Sequence, residues 1–372
     1  MEPSQFLRSS ETMKPAVTVL IDTYNHERLI EEAIVSVLEQ DFPASDMEIL
    51  VVDDGSTDRT PEIIRKFAPR VRYLQKANGG QASAFNFGIP QAQGEIVALL
   101  DGDDWWASGK LTAVVEAFAQ NPDIGTVGHG HHEVDELGAR LRTVVPEREY
   151  RLCLRTGDDA QLFSHMRCFL GTSRVAYRQT ILARVLPVPE VLRFEADEYL
   201  WTIGVALSGA LVLDSPLFFY RIHAGNQYMQ GSFDKLLLRR RLGVTQGLLD
   251  HLPPGLKSLG IPEEAIAIVL EQNQIDAKRL RLMLEGGAPW KTYSVEQADL
   301  RRAYKSIAPR YWAYKQLSLL LALILPPRRY YQLRDWYAAN NLHRIRRILA
   351  DPQQSAPVIE RVAQSQADTG RH

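Results

Sequence analysis

Apolar positions follow two different rhythms along this chain. Residues 17–21 read Val-Thr-Val-Leu-Ile, and Glu48 to Val52, Val71 to Leu74 and Glu95 to Leu100 are similar short runs. Unbroken β-branched stretches of this length predict buried strands of a largely parallel sheet. Between them the apolar residues recur every three to four positions. Leu29, Ile30, Ala33, Ile34, Val37 and Leu38 predict one helix, with Asn25 as its cap and Glu27 in its first turn. Thr60-Pro61-Glu62 opens a second, with proline at the tolerated first position, and residues 80–92 form a short third. Strands alternating with helices imply an α/β sheet covered on both faces. Lys110–Gln120 reads as a further helix, followed by strand-like segments at 125–134 and 210–220 with a turn at Asp135–Gly138.

Beyond about residue 232 the strand rhythm disappears. Helical spacing covers 233–250, 262–285, 294–307, 311–325 and 330–350, with a break expected at Pro253-Pro254-Gly255, and 351–372 is polar. Three regions follow: an α/β domain over 1–232, a helical domain over 233–350 and a loose tail. The apolar share of 45% and charged share of 24% are those of a globular protein. Forty-three basic against 45 acidic residues create no field that would attract nucleic acid. Two cysteines are too few for a disulfide framework, which suits a reducing interior. The first sixteen residues lack the apolar core of a secretory signal, and the longest apolar run, Leu317–Leu325, is too short to span a bilayer. The expectation is a cytoplasmic protein.

Two acidic clusters end predicted strands: Asp53-Asp54-Gly55-Ser56-Thr57-Asp58 and Asp101-Gly102-Asp103-Asp104. The carboxyl edge of an open α/β sheet is where ligands bind. Carboxylates this close repel one another unless a hard divalent cation sits among them, although a solvated acidic turn has the same composition. The first cluster is also good turn and capping chemistry. There is no G-x-G-x-x-G after the first strand and no G-x-x-x-x-G-K-[ST], so glycine-cradled dinucleotide and P-loop sites lose support.

Four blocks in order, Val17–Asn25, Val51–Asp58, Asn78-Gly-Gly80 with Asn86-Phe-Gly88, and Leu99–Trp105, resemble the signature of family 2 glycosyltransferases over roughly residues 15–230. The resemblance implies a GT-A fold, a nucleoside diphosphate sugar donor (a UDP-sugar being favoured) and Mn²⁺ or Mg²⁺. It places Thr23, Tyr24 and Asp54 at the nucleoside, Asn78 and Asn86 along the donor pocket, Asp101 near the ribose, and Asp103 and Asp104 on the metal–diphosphate. His223 would complete the metal site, and Arg221 would meet a phosphate. Asp22 and Phe85 depart from the family pattern, which often has proline or threonine at the first and arginine at the second.

Glu195-Ala-Asp-Glu-Tyr-Leu-Trp201 is similar to the family's second acidic motif and makes Asp197 the base that deprotonates an acceptor hydroxyl, with inversion at the anomeric carbon. Helix capping is the competing role, and it suits Glu198 better. A binding protein that has lost turnover is the alternative reading. His129, His131 and His132 lack the further ligands a zinc site needs and are expected at the acceptor cleft or surface. Residues 301–350 carry eleven Lys/Arg against one acid, Asp335, interleaved with aromatics. That composition suits an anionic membrane surface and a glycan or lipid-linked acceptor in surface polysaccharide or glycoconjugate synthesis; a helical core or dimer face accounts equally for the leucines.

Overall fold

The computed structural model describes residues 15–222, 233–303 and 309–339. Ten strands form one mixed sheet: β1 (Val17–Thr23), β2 (Met47–Asp53), β3 (Arg72–Gln75), β4 (Ile96–Asp101), β5 (Trp105–Trp106), β6 (Thr126–Val134), β7 (Arg140–Val144), β8 (Tyr150–Leu152), β9 (Val175–Arg178) and β10 (Ala210–Arg221). Their spatial order is β3-β2-β1-β4-β9-β6-β10-β5, with β7 beside β6 and β8 beside β10. The first four are parallel, and β9 enters antiparallel between β4 and β6. The connection reverses direction at β1/β4, so the carboxyl ends of those two strands open a crevice. Register puts Asp22 opposite Asp101 at its mouth.

The helices of the α/β part are α1 (Ile30–Leu38), α2 (Thr60–Arg65), α3 (Gln81–Gly88), α4 (Lys110–Gln120), α5 (Gly157–Met166), α6 (Gln179–Val185) and α7 (Ala196–Ser208). Alternation along β1 divides the core. Val19 and Ile21 join α1 and α4 residues such as Ile34, Leu111 and Phe118 on one face. Leu20 packs on the other with Phe85, Phe163, Leu182 and Leu200. Asn25 does not cap α1. Its backbone is left-handed (φ 57°), and its side-chain oxygen accepts from Thr57 N–H at 2.8 Å, so it pins the Asp53–Asp58 loop instead.

The second half comprises α8 (Lys235–Ser258), α9 (Glu263–Glu285), α10 (Pro289–Ala303), α11 (Pro309–Leu319), α12 (Leu321–Ile324) and α13 (Pro327–Ala339). The break expected at Pro253-Pro254 does not occur. Leu248, Leu252 and Leu256 stay buried on one face of α8 across the prolines, and their packing outweighs the roughly 3 kcal/mol such a proline costs. The expected single helix 311–325 is two, α11 and α12. The boundary near residue 232 is not a break in packing either: Val244, Leu248, Ala265 and Val269 share one core with Leu20 and Leu99. A smaller cluster gathers Leu238, Ile275, Leu282, Ala322, Tyr330 and Tyr331. No described helix is long and apolar enough to cross a membrane.

Arg279 of α9 lies at the centre of a network in that helical part, reaching Glu296 at 2.8 Å, Asp276 at 2.6 Å and Asp299 at 3.1 Å. The guanidinium holds the Glu296 carboxyl below its ordinary range, against the effect of burial. Arg279→Ala leaves Glu296 buried with the longer Arg334 contact at 3.4 Å and the Tyr331 hydroxyl in place of its nearest cation. The expected loss is about 3 kcal/mol, read by urea unfolding. A loss under about 0.5 kcal/mol would class the network with exposed ion pairs.

Candidate active site

The crevice at the β1/β4 edge is a cleft of about 820 Å³. Asp22, Thr23, Tyr24, Asp54, Asn78, Gln81, Asp101, Asp103, Asp104, Arg174, Arg193, Glu195 and Asp197 line it together with Leu237, Arg240 and Val244 of α8. Residues far apart in sequence are therefore neighbours here, including both acidic motifs.

Asp101, Asp103 and Asp104 can each present an oxygen within 4.8 Å of the others. A dense frame holds them. Asp101 donates its N–H to Ser173 Oγ at 3.1 Å, and the same hydroxyl donates to Asp104 Oδ2 at 2.6 Å. Asp104 Oδ1 accepts Arg221 N–H at 3.1 Å. Beneath them Lys110 is fully buried. Its Nζ donates to the Ser173 carbonyl at 2.8 Å and lies 3.6 Å from the centre of the Trp106 ring, whose Nε1 donates to that carbonyl at 3.1 Å. Burial pushes the lysine pKa well down, with the Asp104 charge opposing. Lys110 carried no motif signal in the sequence beyond opening a helix.

Four carboxyls in this edge titrate upward. Burial, then the Asp103 and Asp197 charges, push Asp22 up to about 8, with a hydrogen bond to Asp101 opposing. Burial and Asp22 raise Asp101 well above its usual range. Asp104 rises to about 7 through burial and Asp103, held back by Ser173 and the Arg221 N–H. Burial also raises Asp197. Asp22 Oδ1 is enclosed and finds no hydrogen-bond partner. Carboxyl oxygens this crowded suit a hard divalent cation, and Asp104 keeps spare lone pairs for one.

Asp197 stands in the first turn of α7. Its Oδ2 accepts Thr172 N–H at 3.0 Å and its Oδ1 accepts Glu198 N–H at 3.0 Å, so it also orders the helix start. Glu198 accepts from Arg167 at 3.1 Å and from Asn273 of α9 at 3.0 Å, so it ties α7 to α9 rather than capping α7 as expected. Gln81, missed by the sequence reading, ties the halves together: its Oε1 accepts Ala196 N–H at 3.0 Å, and its Nε2 points at Asp101 and Thr172 (3.4 and 3.3 Å).

Several expected donor contacts have other partners. Asp54 accepts from Lys76 (2.7 Å), Asn78 (3.1 Å), Gly79 N–H (2.9 Å) and Gly80 N–H (2.7 Å), which fills its acceptor positions from within the chain. It shapes the 76–80 loop, where Gly80 has φ +89° and an added Cβ would lie 2.5 Å from the Arg193 carbonyl. Asn78 lines the cleft and accepts from Arg193 at 2.8 Å. Asn86 does not line it, because both amide atoms pair with the Val188 backbone (2.8 and 2.7 Å). Arg221 lies outside it too. Its guanidinium stacks 4.3 Å from the Trp105 ring centre and donates to the Asp103 carbonyl, the Glu136 carbonyl and Glu32, bracing the acidic motif from behind. Thr23 is buried with its hydroxyl 3.1 Å from His26 Nδ1, and Tyr24 is exposed at the rim. His223 lies outside the described residues. His129 and His131 are neither at the cleft nor at the surface. Both are buried against Phe218, with His131 pushed down to about 4 by burial and by Arg174.

Residues 18–182 match the family model described as glycosyl transferase family 2. The chain is similar to an uncharacterized glycosyltransferase of Nostoc sp., 34% identical over 226 residues, which cover 58% of this chain and 67% of that protein. It is also 34% identical over 192 residues to EpsJ of Bacillus subtilis, another uncharacterized glycosyltransferase, covering 50% of this chain and 54% of that one. Among solved structures, S. aureus TarS 1–349 in complex with UDP superimposes with TM-score 0.48 and 20% identity, over 79% of this chain and 91% of that one. The match thus spans about half to two thirds of the two curated relatives.

The raised carboxyls carry a pH prediction. An acid whose folded pKa exceeds its unfolded value binds more protons when native, so its contribution to stability falls as pH rises between the two. For Asp22 that window runs from 3.8 to about 8. In chelator, Asp22→Asn is expected to be more stable than the parent at pH 8 by at least ~1 kcal/mol, with the gain vanishing near pH 4. Thermal unfolding at both pH values reads it, and a pH-independent difference would mean that Asp22 is not the source.

Proposed function

The chain belongs to glycosyl transferase family 2, and on that premise we propose that this cleft transfers a sugar from a nucleoside diphosphate donor to an acceptor hydroxyl, with inversion at the anomeric carbon. The observation that carries the reading is the meeting of Asp101, Asp103 and Asp104 with Asp197 in the lining of a single cleft. A UDP-sugar is the favoured donor and a glycan or lipid-linked molecule the acceptor, in surface polysaccharide or glycoconjugate synthesis on the cytoplasmic side.

Asp101, Asp103 and Asp104 are the side chains that would hold Mn²⁺ or Mg²⁺, with Asp22 Oδ1 facing the same crowd. A divalent ion there supplies charge neutralisation for a departing diphosphate. The chain itself does the rest. Asn78 and the backbone at Gly79 and Gly80, fixed by Asp54, form the donor wall beneath Tyr24. Asp197 takes the proton of the acceptor hydroxyl as the new bond forms. Its raised pKa strengthens it as a base, and the two N–H groups it accepts keep it ionised and fix its aim. Ser173, Lys110 and Arg221 keep the acidic motif in place during the reaction.

The experiment separates binding from chemistry. UDP is expected to raise the melting temperature only with Mn²⁺ or Mg²⁺ present, by about 2.7 kcal/mol of stabilisation at a hundred times its dissociation constant. Asp103→Ala is expected to abolish the metal-dependent part. Asp197→Asn is expected to keep that shift and lose about 10²–10⁴-fold in transfer, followed as UDP release over a panel of UDP-sugars. Unchanged turnover in Asp197→Asn would move the base elsewhere, and a metal-independent shift would remove the cation from the reading.

A further inference from the structure

Five large apolar side chains crowd the surface of one short stretch. Leu317 and Leu320, at the end of α11, and Leu321, Leu323 and Ile324, in α12, are all exposed, Leu317 at 68% and Ile324 at 73%. The inner side of the same stretch is already used: Leu319 and Ala322 are buried, and Ala322 packs with Leu238 of α8 and with Tyr330 and Tyr331. The outer face is thus fixed by packing beneath it. Apolar clusters of this kind on a folded chain mark a surface that another phase or molecule covers.

The charge next to this stretch is mainly positive: Arg334 is paired with Glu296 and Asp335, and Arg328 and Arg329 are exposed. Residues 311–334 contain Lys315, Arg328, Arg329 and Arg334 and no acid. Arg328 and Arg329 are exposed where α13 begins, directly after the apolar stretch. Exposed Trp336 adds an aromatic on α13. A second copy of this chain is a poor cover, because a two-fold interface brings the same patch to itself and sets Arg328 and Arg329 near their own images. Anionic headgroups over an acyl layer complement both features.

We propose that the outer face of Leu317–Ile324, with Arg328 and Arg329, is a docking surface for a bilayer that carries anionic lipid. The surface is coupled to the cleft. Arg328 donates to the Phe233 carbonyl at 3.5 Å, and Phe233 directly precedes α8, whose Leu237 and Arg240 line the cleft. Docking therefore holds the α8 wall close to the lipid. Where the glycosyl-transfer reading holds, it brings a membrane-borne acceptor within reach of Asp197; the docking itself stands without that reading.

The test uses the full chain and vesicles of phosphatidylcholine, alone or mixed with phosphatidylglycerol, read by co-sedimentation. At low salt the mixed vesicles are expected to bind at least ~10-fold more tightly than the neutral ones, with release at high salt. Leu320→Glu combined with Ile324→Glu changes only exposed positions and is expected to weaken binding at least ~10-fold. Arg328→Ala with Arg329→Ala is expected to weaken it by on the order of 10-fold on mixed vesicles and hardly at all on neutral ones. The UDP and Mn²⁺ melting shift is expected to be the same in every variant, so a failed donor reading and a failed docking reading are told apart. Absence of binding to mixed vesicles at low salt overturns the proposal, as does undiminished binding by the glutamate variant. A dimer in sedimentation equilibrium that this variant dissolves, in protein that ignores vesicles, assigns the face to a second copy and overturns it too.

Discussion

The constraint on which the site depends is the repulsion among carboxylates at the β1/β4 edge. The strand crossover puts Asp22 beside Asp101, the turn after β4 adds Asp103 and Asp104, and α7 brings Asp197 into the same cleft. Burial and mutual repulsion raise Asp22, Asp101 and Asp104, with Asp22 pushed up to about 8 and Asp104 to about 7. The arrangement is unfavourable as a set of bare ions and favourable once positive charge arrives. Asp22 stands where the family often has proline or threonine, and it adds to the charge that a cation would offset.

Holding such a cluster open takes a rigid frame, and the frame is mostly neutral or cationic. Ser173 is its pivot. One hydroxyl joins Asp101 and Asp104, while its carbonyl takes two donors from below, Trp106 and the buried Lys110. Arg221 braces the other side through backbone carbonyls and Trp105. Arg221 braces the motif without competing for a ligand, because its donors are already engaged on two carbonyls and Glu32. The same logic makes Asp54 an organiser: four internal donors turn a carboxylate expected at the nucleoside into the clamp of the Gly79-Gly80 loop.

Buried strands and acidic strand ends were legible because their signals are local. VTVLI, EILVV and the run ending in Asp101 each state their environment within a few residues, and the four-block order carries the family. Helix α8 was misjudged at Pro253-Pro254 because propensity is local and the burial of Leu248, Leu252 and Leu256 is not. Asn86 and Arg221 were placed against the donor by resemblance, yet their partners, Val188 and the Asp103 and Glu136 carbonyls, are remote in sequence and cannot be read from it. Gln81, Ser173 and Lys110 had no motif to announce them. Their roles exist only through contacts closed by the fold. His129 and His131 alternate on β6 as expected, but the face they share is the one that Phe218 covers.

The helical half is part of the same machine rather than an appendage. Leu248, Leu252 and Leu256 of α8 and Ile266, Val269 and Leu270 of α9 fill the core on which α3 and α7 rest. Glu198, one residue after Asp197, is tied to α9 through Asn273. A shift of α9 therefore moves the start of α7 and with it the aim of Asp197. A shift of α8 moves Leu237, Arg240 and Val244 in the cleft wall. The proposed docking surface rests on the same helices, since Ala322 of α12 shares a cluster with Leu238 of α8 and Ile275 of α9.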